Sequence, residues 1–149
     1  MKLRRALCVF GLASLLGIPL AQAGDRPAAA NYLLRCSGCH GPDGSGAPAA
    51  GIPPLPGFIS AFTHDEQGRT YLMHVPGVVS TGLNDREISA VMNYVVTRWG
   101  DPKQAFTPFT PEEVTRLRAI EVADVVAYRR DLIKLLQAEG QAVAVYPWP

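Results

Sequence analysis

Cys36-Ser37-Gly38-Cys39-His40-Gly41-Pro42-Asp43-Gly44 puts two thiols three positions apart and an imidazole directly after the second. This is the C-x-x-C-H pattern of c-type haem attachment. Each thiol can form a thioether bond to one vinyl group, and His40 is then placed to ligate the iron from the same side. Two other chemistries use a Cys pair at this spacing. A thioredoxin-like redox pair needs a βαβ setting, which the Gly- and Pro-rich surroundings do not offer. A structural zinc site needs a second ligand pair, and no Cys follows Cys39. The spacing therefore predicts one covalently bound haem c.

The start of the chain predicts the compartment. Lys2, Arg4 and Arg5 precede an almost wholly apolar run from Ala6 to Leu20, and Ala21-Gln22-Ala23 follows as a small-residue cleavage site. This is the layout of a secretory signal peptide over residues 1–23, with an apolar core too short for the ~20 residues of a membrane span. Cleavage after Ala23 removes Cys8 and leaves Cys36 and Cys39 as the mature thiols. It also removes three cations from a chain of formal charge +1, so the mature protein is slightly acidic. No basic excess argues for nucleic acid, and no second apolar segment argues for a membrane span after cleavage. The expected location is the periplasm.

The rest of the chain reads as all-α. Pro27 and the Ala- and Leu-rich stretch after it predict a helix running into the motif, with Gly38 and Gly41 letting the chain turn. Residues 41–57 are rich in Gly, Pro and Ala and show neither helical nor strand period, as expected of a loop wrapped on a flat cofactor. A short helix is expected from Thr70 to Val75. Asn84 and Glu87 form a capping box, and Ile88, Val91, Met92, Val95 and Trp99 recur at helical steps up to Gly100. Thr110-Pro111-Glu112-Glu113 is a second capping box, with Phe109 and Val114 as its hydrophobic staple. A last helix is expected from about Val122 to Glu139, with Arg129 and Arg130 on its polar side. These segments divide the chain into a leader (1–23), a haem domain (24–100) and a helical C-terminal extension (101–149).

From Ala28 to Trp99 the chain resembles the class I c-type cytochrome family. The pieces that carry the resemblance are the helix entering Cys36-Ser37-Gly38-Cys39-His40-Gly41, the run Gly51-Ile52-Pro53-Pro54-Leu55, and Leu83-Asn84-Asp85-Arg86-Glu87-Ile88 leading to Tyr94. The resemblance implies a helical shell around one haem. In it Cys36 and Cys39 are the thioether attachments and His40 the proximal iron ligand. The Pro53 carbonyl accepts from the outer N–H of His40, and Tyr94 sits where the first and last helices of the domain cross beside the haem.

The resemblance departs at the sixth iron position. The family usually places a Met a few residues before the final helix; the corresponding place here falls near Val78, in Pro76-Gly77-Val78-Val79-Ser80-Thr81-Gly82, where no Met, His or Lys occurs. His74 and Met73 are the nearest distal-ligand candidates, and a vacant or water-bound position is a third possibility. His64 lies in a polar turn and Met92 inside a helix, so solvation and packing explain them. The expected function is electron transfer by an exported cytochrome that takes electrons from a dehydrogenase and passes them toward an oxidase, with no catalytic base or nucleophile. The alternatives are a haem enzyme or ligand sensor with an open sixth position, and a haem subunit of a larger oxidoreductase whose helical tail docks to the large subunit.

Overall fold

The computed structural model describes residues 26–147; the expected leader, with Cys8, lies outside them. Among the described residues there are seven α-helices and no strand: α1 (Ala28–Arg35), α2 (Ser37–His40), α3 (Glu66–His74), α4 (Pro76–Val79), α5 (Asp85–Trp99), α6 (Pro111–Arg118) and α7 (Val125–Ala138). None of them is long and apolar enough to cross a membrane. The all-α reading holds.

Helix α5 is the spine. Its capping box is complete: the Glu87 amide donates to Asn84 Oδ1 at 2.9 Å, and the Asn84 amide donates to Glu87 Oε2 at 3.1 Å. Its apolar face buries Ile88, Val91, Met92, Val95 and Trp99, and it packs against α1 and α6. At the α1–α5 crossing the rings of Tyr32, Tyr94 and Trp99 cluster, with centroids 4.7 to 6.0 Å apart.

Two helix starts and one cap differ from expectation. Helix α3 begins at Glu66 instead of Thr70, because the Asp65 carboxylate caps it by accepting from the Gly68 amide at 2.7 Å. Helix α7 begins at Val125, where Asp124 accepts from the amides of Val126 and Ala127. At α6 only half of the second capping box forms. Thr110 Oγ1 accepts from the Glu113 amide at 3.2 Å, but the Glu113 carboxylate turns away to Arg69.

That Arg69–Glu113 pair ties α3 to α6. Arg69 is buried, and Glu113 receives two of its N–H groups at 2.6 and 2.5 Å. Arg69 Nη1 donates to the carbonyls of Thr63 and Thr107, and the guanidinium lies 3.7 Å from the Phe109 ring centroid. A buried cation is tolerable when its donors have partners, and each nitrogen of this one does. Helix α7 packs against α3 through a face that buries Leu132, Ile133 and Leu136. The C-terminal helices therefore lie on the body of the protein.

Candidate haem site

The motif occupies a single helical turn. The amides of Cys39 and His40 donate to the Cys36 carbonyl at 3.2 and 3.0 Å, which brings both cysteines and the histidine to one cavity. Both thiols are free; Cys36 is half-buried and Cys39 exposed. Burial, and then the neighbouring Cys39, push the Cys36 thiol pKa up. Gly41, at φ +73°, turns the chain out of the helix, whereas Gly38 stays helical. The Gly41 carbonyl accepts from the Tyr32 hydroxyl at 2.6 Å, so α1 clamps the exit of the motif. Burial pushes the Tyr32 pKa up to about 12, so the phenol stays a donor.

The Gly- and Pro-rich loop then doubles back. Ala47 and Ile52 exchange two backbone bonds, of 2.8 and 3.1 Å, and Gly46 donates to the His40 carbonyl at 2.8 Å. This fold of the loop carries Pro53 to the His40 ring. Burial lowers the His40 pKa, and the Pro53 carbonyl opposes that shift as an acceptor. The contact falls short of good hydrogen-bond geometry, so His40 Nδ1 is buried without a well-formed partner.

The cavity has a volume of about 370 Å³, within the range of ligand and cofactor sites. Its walls are mostly hydrocarbon. Ile52, Pro53, Pro54 and Leu55 come from the loop, Phe58, Ile59 and Phe62 follow, and Met92 and Val95 come from α5. Leu72, Val75, Pro76, Gly77 and Val78 form the side made by α3 and α4. Tyr94 does not line the cavity; it touches it through Tyr32, which does. Neither Met73 nor His74 lines it either. Met73 is fully buried in the core, and His74 Nδ1 lies 2.8 Å from the Thr70 carbonyl of its own helix.

The C-terminal region supplies a wall that the sequence pattern does not announce. Val125, Val126 and Arg129 of α7 and Ala144 and Tyr146 of the tail all line the cavity. Arg129, expected on a polar helix face, is only 2% exposed. Its Nη1 donates to the Tyr71 hydroxyl at 2.8 Å, while Nε and Nη2 have no partner. The rings of Phe62, Tyr71 and Tyr146 surround the guanidinium at 5.0 to 5.3 Å. Helical period holds the missing signal: Arg129 stands four residues after Val125 and three before Leu132, on the same face.

A buried cation with two idle donors in an apolar cavity calls for an anion. A flat, apolar ring system with carboxylate arms, attached through two thiols and ligated by one imidazole, satisfies every such group in this cavity. The residues present fit haem c.

No protein-family model matches the chain. Among curated proteins it is similar to a cytochrome c-552 of Thermus thermophilus, at 38% identity over 152 residues, covering 87% of this chain and 98% of the relative. A second Thermus thermophilus cytochrome c-552 is 38% identical over 125 residues, covering 69% of this chain and 95% of the relative.

Proposed function

This chain belongs to the c-type cytochromes, and on that premise we propose that it is an exported, periplasmic monohaem electron carrier whose haem is bound through Cys36 and Cys39. The observation that carries this reading is the meeting of Cys36, Cys39, His40 and the idle Arg129 guanidinium at one apolar cavity. Haem c supplies a one-electron couple at its iron.

The chain's own residues do the rest. Cys36 and Cys39 hold the ring by two thioethers, so it cannot dissociate. His40 would be the proximal ligand of the iron. With haem bound, the Pro53 carbonyl would close on that imidazole as the outer acceptor that orients it and sets its basicity. Arg129 pairs with a propionate, with Tyr71 holding the guanidinium in place. The hydrocarbon walls exclude water and so limit solvent reorganisation during electron transfer. Cys39 is exposed, which supports an entry path for electrons on the motif side of the cavity.

The donor we propose is a dehydrogenase and the acceptor a terminal oxidase. A test is anaerobic reduction of the purified protein followed by mixing with oxidase-containing membranes from its own source. Rapid reoxidation that stops with an oxidase inhibitor supports the reading; a protein that stays reduced sinks it.

A further inference from the structure

Building on the haem assignment above, we propose that the iron of this chain keeps its sixth position free of any protein side chain, and that a small uncharged ligand binds there. The inference starts from what lines the cavity. Once Cys36, Cys39 and His40 are used, Met92 is the one remaining Met, His, Lys or Cys side chain along its walls among the described residues.

Each donor elsewhere in that range is held away from the cavity. Met73 is fully buried in the core cluster, and His74 is bonded to the Thr70 carbonyl of its own helix. His64 is exposed and lies 2.8 Å from Gln104 Oε1. Lys134 is paired with Asp131 on the surface, and Lys103 is also exposed. Met92 sits in the middle of α5, buried together with Val91 and Val95 against the core. That packing holds the Met92 side chain among its core neighbours, and drawing it out toward an iron would leave a void there.

The wall made by α3 and α4 offers only hydrocarbon and backbone from Leu72, Val75, Pro76, Gly77 and Val78, apart from the Tyr71 hydroxyl. That hydroxyl accepts from Arg129 Nη1 at 2.8 Å and keeps its own O–H to donate. The wall and the motif are held by different elements, because α4 packs on α3 whereas α2 packs on α1. Hydrocarbon with one neutral phenol donor gives an anion no counter-charge, so this wall favours a neutral diatomic ligand.

The test uses the purified holoprotein, with carbon monoxide as the probe. The resting ferric protein should give the resonance Raman signature of an iron without a second strong protein ligand. The dithionite-reduced protein should bind one carbon monoxide per haem. Both properties should persist in Met73→Leu, His74→Ala and Met92→Leu. Val78→Met should turn the iron low-spin and weaken carbon monoxide binding at least tenfold.

A wild type that is low-spin in both redox states and refuses carbon monoxide overturns the inference. So does a low-spin iron that becomes high-spin in any of the three donor variants. A preparation without covalent haem would instead count against the haem assignment itself, so the two failures are distinguishable.

Discussion

Arg129 and Tyr71 meet inside the cavity, the guanidinium donating to the phenol at 2.8 Å with two further donor groups left unserved. Arg69, the other buried arginine among the described residues, has a carboxylate, two carbonyls and an aromatic face. The contrast defines what is missing around Arg129. No described residue supplies its counter-charge.

Arg129→Met in the holoprotein removes one partner of a buried charge pair, and about 3 kcal/mol of stability should go with it. Arg129→Lys should recover part of that, because one ammonium keeps the charge but not the forked geometry. Thermal denaturation of the two variants beside wild type, with the reduction potential recorded for each, checks this. Equal stability of Arg129→Met and wild type would remove Arg129 from the site.

Gly46 is where the loop leans on the motif. An added Cβ would lie 2.5 Å from the Ile52 carbonyl oxygen and 2.7 Å from that of Pro53, at a φ of +67°. Gly46→Ala should therefore cost about 1–3 kcal/mol and displace Pro53 from His40, changing the iron–histidine stretching frequency. Gly57, at φ +79° with open space around it, is the control. Gly57→Ala should cost backbone strain alone and leave that frequency in place.

The C-x-x-C-H spacing made the haem cofactor legible, and the capping box at Asn84 and Glu87 located α5 to the residue. What stayed hidden depends on contacts between distant segments. Glu113 looks like the second half of a capping box because its reach to Arg69, across 44 positions of chain, has no local signal. Arg129 looks solvated because burying an arginine makes sense only with a partner, and the partner proposed for it is a cofactor that no residue code spells out. The start of α3 escapes for a plainer reason: Asp65 is a cap signal that sits within a polar turn and is easily taken as part of it.

The Arg69–Glu113 pair should make stability depend on acid. Hydrogen bonds from Arg69 hold the Glu113 pKa below its ordinary value of 4.5. A depressed folded pKa contributes stability above the unfolded value and loses it as pH falls through the folded one. Glu113→Gln should thus cost about 2 kcal/mol at neutral pH. That difference should narrow as the pH falls below the ordinary carboxylate range, which urea titrations at several pH values would read. A gap that stays constant into strong acid would contradict the pairing.

Tyr32→Phe deletes the donor to the Gly41 carbonyl while keeping the ring packed, tilted, against Tyr94 and Trp99. The carbonyl keeps only the long 3.4 Å bond from the Gly44 amide, so the expected cost is about 1 kcal/mol, seen as a lower thermal midpoint. Hydrogen exchange should rise at the end of α2 and in residues 41–46, and remain unchanged in α6.

The most direct measurement is the intact mass of the exported protein before and after acid–acetone extraction, for wild type and for the Cys36→Ala/Cys39→Ala double variant. The wild-type chain should carry the mass of one haem and keep it through extraction, while the double variant should lose it entirely. A wild-type haem that extracts into acid–acetone, or one that the double variant retains, would contradict covalent attachment at Cys36 and Cys39.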